Sequence, residues 1–300
     1  MISDAFSTFL SIHEAGTIGG AAAALHVSQP AVSRRLQTLE AEVGAPLFER
    51  TRHGLRLTSA GEVLLPHAER IRAAHRDAAR ALADHLGEPG GAVRLSIVGS
   101  LAGRWFSAAL ANVRTAHPAV ELIVSTGTSR QVNAQVARGD AVAGVSYARP
   151  VDDDLRSRPL FDERLVLVCH PSHRLAGERV TGLEQLGGEL WLLFPERADQ
   201  SESSDAAARR LLRRHAVPED RIRPIDSLSA QRALAAAGYG LAFLPPEAAA
   251  DAVEAGHLRT IAWVGEPVGT AVHLVTRRSG YLGPAAQAAI ESLTRTPPAE

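Results

Sequence analysis

The residues with the most pointed chemistry lie near the start of the chain. The run Ser28-Gln29-Pro30-Ala31-Val32-Ser33-Arg34 is followed by Gln37. Gln bonds adenine through two hydrogen bonds and Arg does the same with guanine. Ser reaches a base or a phosphate, and Pro or Ala touches a thymine methyl. On a helix, Val32, Leu36 and Leu39 recur as a buried stripe and leave Gln29, Ala31, Ser33, Arg34 and Gln37 on the outer side. Ser28 is placed to accept free N–H groups of that helix, and Pro30 falls in its first turn, where a missing N–H costs nothing. This is the chemistry of a helix that presents its N-terminal residues to base edges in a DNA major groove.

Other elements have to hold such a helix. Phe6, Phe9, Leu10 and His13 make an apolar stripe on a preceding helix, which Ser3 can cap and Gly16 can end. Thr17 then caps a second helix with Ile18, Ala21, Ala22 and Leu25 inside, and its alanine run lets two helices cross closely. Gly19 and Gly20 each weaken this helix by about 1 kcal/mol relative to Ala, so its first turn is expected to be the least stable part of the unit. His26 and Val27 form the turn into the outward-reading helix, with Val27 pointing inward. Downstream, Val43-Gly44-Ala45-Pro46-Leu47-Phe48 closes a small core. Arg50, Arg52, His53 and Arg56 surround Gly54, while Leu55 and Leu57 alternate with Arg56 and Thr58. That pattern predicts a short hairpin with a basic tip, suited to phosphates or to a minor groove.

The 300 residues carry a formal net charge of −1, so no chain-wide basic field points to nucleic acid. Within 28–56, five arginines stand against three glutamates, a local excess of +2. That modest excess suits site-specific reading better than non-specific coating. There is no Lys in the chain, so Arg and charged His must make every basic phosphate contact. The single Cys, Cys169, excludes an intrachain disulfide. Cys169-His170-Pro171-Ser172-His173 matches no common zinc spacing, and no metal or other cofactor is expected. No charged-then-apolar leader and no apolar run of about 18 residues or more is present, which predicts a cytoplasmic protein without a membrane partner.

From about Thr58 to Leu86 the pattern is one long helix. Leu64, Ala68, Ile71, His75, Ala78, Leu82 and Leu86 form an apolar seam for a partner helix, and Pro66 comes early enough to be tolerated. Gly87-Glu88-Pro89-Gly90-Gly91 ends it as a hinge. Beyond it, strands at 93–98, 120–124, 164–169 and 270–275 alternate with helices such as 105–116 and 229–237, which suggests parallel α/β sheets.

These pieces resemble the LysR-type transcriptional regulators. The resemblance rests on Ala21-Ala22-x-x-Leu25, Val27-Ser28-Gln29-Pro30-Ala31-Val32-Ser33, Leu39-Glu40, Gly44-x-x-Leu47-Phe48-x-Arg50 and Leu57-Thr58-x-Ala60-Gly61. Weaker matches follow at Ala137-Arg138-Gly139-Asp140, Ala236-Ala237-Gly238-Tyr239-Gly240-Leu241-Ala242-x-Leu244-Pro245 and Gly256-x-Leu258. Two departures stand out: the Gly19-Gly20 pair, and Val142 where the family often has Asp. The resemblance implies an α/β chain in three parts. These are an N-terminal all-α winged helix-turn-helix over 1–60, a long linker helix and hinge over 61–90, and a two-lobed, periplasmic-binding-protein-like α/β domain over 91–300. One lobe would use 92–162 and 268–300, the other 163–267. It also implies double-stranded DNA as partner, a homodimer or homotetramer assembled as a dimer of dimers, and RNA polymerase as a further partner.

A ligand would lie between the lobes, beyond the carboxyl ends of strands. Ser100 and Leu101 follow the first strand, Thr128 and Ser129 follow the second, and Phe194 and Ser227 face them from the other lobe. Hydroxyls beside helix N-termini favour an anionic small molecule as the effector. The competing readings are a solute-binding protein or a metabolic enzyme domain fused to a DNA-binding module. The enzyme reading finds no Gly-x-Ser-x-Gly elbow, since Gly99-Ser100-Leu101-Ala102-Gly103 lacks that order.

Overall fold

The computed structural model describes residues 2–52, 54–86, 92–196 and 204–295. His53 of the expected wing tip and the expected hinge at 87–91 lie outside them.

The N-terminal unit packs α1 (Ile2–Ala15), α2 (Ile18–Ala24) and α3 (Gln29–Val43) around one core. Phe9, Leu10, Ile12, Ala21, Ala22, Val32, Leu39, Leu47, Phe48 and Ala68 fill it, with the Phe9 and Phe48 rings 5.3 Å apart. Ile12 is buried where His13 was expected, and His13 is exposed. α1 already runs at Ile2, so Ser3 lies inside the helix. Gly16 ends α1 with φ +67°, and Thr17 Oγ1 accepts from Gly20 N at 3.0 Å. A Cβ on Gly20 would stand 2.9 Å from Ala15 Cβ and 3.0 Å from Thr17 Oγ1. The close approach of the α1 end therefore requires this glycine, and the first turn of α2 is capped and packed.

β1 (Phe48–Thr51) and β2 (Gly54–Leu57) form the antiparallel wing, pairing Phe48 with Leu57 and Thr51 with Gly54. Two bonds lock its orientation. Glu40 Oε1 on α3 accepts from Leu47 N at 2.7 Å, and Leu55 N donates to Gly16 O at 2.8 Å.

α4 (Ser59–His85) is capped by Thr58, whose hydroxyl accepts from Gly61 N at 3.1 Å and donates to Pro46 O at 2.7 Å. No helix among the described residues is long and apolar enough to cross a membrane.

The remainder builds two sheets. The first holds β3 (Val93–Val98), β4 (Leu122–Gly127), β5 (Ala143–Ser146), β6 (Leu155–Arg164) and, from the far end of the chain, β13 (Gly269–Arg277). Its strand order is β4-β3-β5-β13-β6, flanked by α5 (Arg104–Ala116), α6 (Ser129–Ala137) and α10 (Pro284–Arg295). The second holds β7 (Val166–Cys169), β8 (Arg179–Val180), β9 (Trp191–Leu193), β10 (Ile222–Pro224), β11 (Leu241–Leu244) and β12 (Arg259–Trp263). Its order is β10-β9-β11-β7-β12-β8, with α7 (Ser204–Arg214), α8 (Leu228–Ala236) and α9 (Pro246–Glu254).

Both sheets are mixed, against the expected parallel arrangement. β3 runs parallel to β4 and β5, but β13 is antiparallel to β5 and β6, and β7 is antiparallel to β11 and β12. In the first sheet the antiparallel strand is β13, which returns late from the second sheet; in the second it is β7, which enters from the first. The expected strand 164–169 is divided, because Arg164 ends β6 opposite Gly269 while Leu165 N donates to Val268 O at 2.7 Å. Leu165 and Val268 are thus where the two chain segments cross between the sheets, joined to each other.

Candidate DNA interface and ligand cleft

α3 presents two faces of opposite character. Val32 and Leu39 are buried, while Gln29, Pro30, Arg34 and Gln37 are exposed and Ala31 and Ser33 are half-buried beside them. Ser28 holds the N-cap backbone position, but its hydroxyl accepts no capping bond, contrary to the expected cap. It is exposed next to Gln29. Gln29 lies against α2, and a Cβ on Gly19 would come 3.3 Å from its Nε2. The second unusual glycine therefore leaves room for a residue placed to read bases. Arg50 and Arg52 are exposed on the wing. His53 lies outside the described residues.

α4 divides the expected seam. Leu64 and Ala68 pack into the winged unit's own core. Ile71, Leu82 and Leu86 are 39%, 58% and 65% exposed, and His75 and Ala78 are exposed on the same stripe. The opposite side, Ala73, Asp77, Arg80 and Asp84, is polar and docks on the first sheet's lobe. Asp77 takes two bonds from Arg277 at 2.8 and 2.9 Å and one from Arg80 at 2.5 Å. Arg76 pairs with Asp140, Arg70 with Asp154, and Tyr281 donates to Asp84 at 2.9 Å. Ala73 meets Gly139, where a Cβ would stand 3.1 Å from Ala73 Cα. Burial pulls the Asp77 carboxyl up, but hydrogen bonds from Arg277 and Arg80 outweigh it and hold it below the usual range.

Between the two sheets lies a cavity of about 590 Å³. Ser100, Thr128, Ser129, Phe194 and Ser227 all line it. Leu101 does not: its side chain is 2% exposed in the first sheet's core and borders an adjoining cavity of about 520 Å³. The larger cavity also takes residues that the sequence did not single out, among them Tyr147, Glu163, Asp205, Asp226 and Arg232. Tyr147 directly follows β5, at the carboxyl end of a strand, a position that could have flagged it. Glu163 lies inside β6, a strand with no clear hydrophobic pattern.

The lobes also touch across the cavity rim. Trp105 N, in the first turn of α5, donates to Glu247 Oε1 of α9 at 3.1 Å, and Arg104 pairs with Asp251.

Burial pushes the Asp205 carboxyl up to about 7. Phe194 N–H and Arg209 pull it down less strongly, and the Glu163 charge adds to the rise. Such a group contributes stability below its unfolded value of 3.8 and loses it as pH rises through about 7. At about 1.4 kcal/mol per pH unit the loss is bounded near 4 kcal/mol. Asp205→Asn should therefore gain stability relative to the parent between about pH 4 and pH 7, and denaturant melts across that range measure it. Parallel pH profiles for the two proteins would count against a buried, raised carboxyl.

Cys169 is fully buried, and burial pushes its thiol up to about 11. It is therefore protonated at neutral pH and poorly suited to act as a nucleophile.

Comparison with known proteins agrees with this architecture. Residues 3–62 match the model for bacterial regulatory helix-turn-helix proteins of the lysR family, and residues 86–297 match the LysR substrate binding domain. The HTH-type transcriptional regulator ClcR of Pseudomonas putida is 30% identical over 240 residues, covering 79% of this chain and 80% of its own. A full-length OxyR variant from Pseudomonas aeruginosa superposes with a TM-score of 0.75 at 19% identity, covering 100% of this chain and 98% of its own. CbnR, a LysR family transcriptional regulator, gives 0.66 at 26% identity over 100% of both chains. The winged unit, the long helix and the two-sheet domain thus place the chain in the LysR family, as a transcriptional regulator with a helix-turn-helix DNA-binding domain and a substrate-binding domain.

Proposed function

We propose that the protein reads a two-fold-related promoter site and changes its grip when a small molecule enters the cleft between its lobes. The observation that carries this is the outward polar face of α3 on a helix whose other face is locked into the core. Ser28, Gln29, Pro30, Ala31, Ser33, Arg34 and Gln37 take the major groove, and Arg50, Arg52 and His53 lie on the flanking backbone. The working division is a DNA-binding unit over 1–60, a linker over 61–90 and a ligand-binding domain over 91–300. The exposed stripe Ile71, His75, Ala78, Leu82 and Leu86 pairs two subunits, and dimers pair again through their two-lobed domains. The protein works in the cytoplasm, beside RNA polymerase, and does no chemistry on its ligand.

Ser100, Thr128, Ser129, Phe194 and Ser227 belong to the ligand site, with Leu101 behind them. The ligand acts by differential affinity for two arrangements of the subunits, which alters DNA bending and polymerase access.

Retardation of the DNA upstream of the protein's own gene tests the reading. The full-length protein should shift that fragment at moderate salt. Gln29→Ala should relax base choice at one position by about 1–3 kcal/mol, seen as a site-selection profile flattened there. Equal weakening on all sequences would make Gln29 a phosphate-positioning contact. No retardation by folded protein would remove the DNA-reading role at this fragment.

A further inference from the structure

Among the described residues that line it, the cavity between the lobes carries more acidic than basic side chains. Glu163 reaches it from β6, Asp205 from α7 and Asp226 from the segment before α8. Arg232 is the one Arg among the described lining residues, and its Nη1 donates to Ala248 O at 3.3 Å.

The groups that favoured an anion are engaged by the chain itself. Thr128 Oγ1 accepts from Gln131 N at 3.3 Å and Thr128 N donates to Gln131 Oε1 at 2.9 Å, a closed capping box. Ser227 Oγ accepts from Ala230 N at 3.4 Å and contacts Ser229 Oγ at 2.9 Å. The first turn of α5, just beyond Ser100, holds the Glu247 carboxylate. The anionic effector expected from these hydroxyls and helix starts therefore meets capped N–H groups and three carboxylates.

A hydrogen-bond relay points the same way. Tyr147 OH donates to Glu163 Oε2 at 2.9 Å and lies 2.8 Å from Ser100 Oγ. A phenol has one proton. With that proton given to Glu163, the Ser100 hydroxyl must donate to Tyr147, and Ser100 Oγ then offers only lone pairs to a ligand. The relay makes Ser100 an acceptor, which suits an N–H donor and opposes a carboxylate.

We propose that the cleft takes a small molecule bearing a protonated nitrogen, an amine or a guanidine, seated between Glu163 and Asp205 and within reach of Ser100 Oγ. This rests on the reading of the cleft as the ligand site. The two carboxylates belong to opposite lobes, so one cation between them relieves their mutual repulsion and draws the lobes together. The same cation favours ionised Asp205, which faces Glu163 from β6, Arg209 on its own helix and the Phe194 N–H. Ligand uptake near neutral pH therefore releases a proton.

The test uses full-length protein and matched probes: benzylamine against benzoate, 1,4-diaminobutane against succinate, and agmatine for the guanidine. At least one cation should raise the melting temperature, with its acid counterpart inert. Asp205→Asn and Glu163→Gln should each weaken that cation at least tenfold by calorimetry while DNA retardation persists, which shows that the fold is kept. If Glu163→Gln unfolds through loss of the Tyr147 bond, Asp205→Asn carries the test alone. Calorimetric heats that vary with buffer ionisation at pH 7 report the released proton.

Three results overturn the proposal. A response to benzoate or succinate that is lost in Ser227→Ala, with none to the cations, removes the ligand class and leaves the cleft reading standing. A cation response unchanged in both carboxylate variants places the cation away from Glu163 and Asp205, removes the proposed seat and leaves the cleft reading standing. No response to any of the three cations removes the class.

Discussion

Gly61→Ala should abolish specific DNA retardation while leaving the two-lobed domain folded. A Cβ on Gly61 would stand 2.3 Å from the Leu47 carbonyl oxygen and 2.9 Å from Leu57 Cδ2. The oxygen cannot withdraw cheaply. It accepts from Thr58 N at 3.0 Å, Leu47 is fully buried, and Leu47 N is itself held by Glu40. Overpacking commonly costs about 1–3 kcal/mol, and more when the obstacle is backbone. A unit of this size has roughly 5 kcal/mol to lose, so the change takes most of its stability. The strain falls where the start of α4, the wing and the end of α3 meet. The expected readouts are a DNA affinity lowered at least about a hundredfold, by the 1.4 kcal/mol-per-decade relation, and an early melting phase assigned to residues before α4. An unchanged affinity and a single unchanged transition would show that the backbone approach is looser than described.

Asp77→Ala should free α4 from the first lobe. Asp77 is the hub of that contact: it answers both Arg277 and Arg80, and its side chain is 12% exposed while that of Arg277 is 10% exposed. Removing the carboxylate leaves two guanidiniums facing one another in a partly buried place. Breaking a buried pair from one side typically costs about 3–5 kcal/mol, because the remaining charge is left uncompensated. Asp77→Asn keeps the shape but not the charge and should recover only part of that. Hydrogen exchange should rise along α4 between Ala73 and Asp84 and in the segment around Arg277, with the core of the second lobe unaffected. Acid should act in the same direction. The Asp77 carboxyl is held below 3.8, so its contribution is present above that value and is lost as pH falls through the lower, folded one. If exchange along α4 does not change in Asp77→Ala, the docking rests on the Ala73–Gly139 approach and on the remaining Arg76–Asp140 and Arg70–Asp154 pairs, and not on Asp77.

How far the sequence reveals these features depends on the element. α4 was legible almost to the residue, because a seam at spacings of three and four and a Gly-rich end agree, while the Thr58 cap emerges only in the structure. The wing was legible from Gly54 and alternation alone. β6 was not. Its sequence LRSRPLFDER carries five charged residues and a proline, which suits only a sheet edge, and β6 is the edge strand beside β13. Pro159 sits opposite His273, where the register slips.

Missing that strand hid Glu163, and with it the sign of the cleft. Ser100, Thr128, Ser129, Phe194 and Ser227 all line the cavity, and each stands at a strand end or a cap, which has a local signature in the sequence. Asp205 has no such signature. Its position is set by how α7 packs beneath β9, which no window of sequence contains. The Gly19-Gly20 pair read as weakness for a similar reason, since the atoms that need the space belong to Ala15 and Gln29.

The two sides of α4 have a further consequence. Its polar side is spent on the chain's own lobe, while Ile71, Leu82 and Leu86 face away from it. A second copy can therefore settle on the free side without competing for any bond that the first side makes. Self-association is then governed by mass action alone: the melting temperature should climb with protomer concentration. Because the stripe is apolar, that dependence should persist in salt strong enough to screen the arginines on the other side.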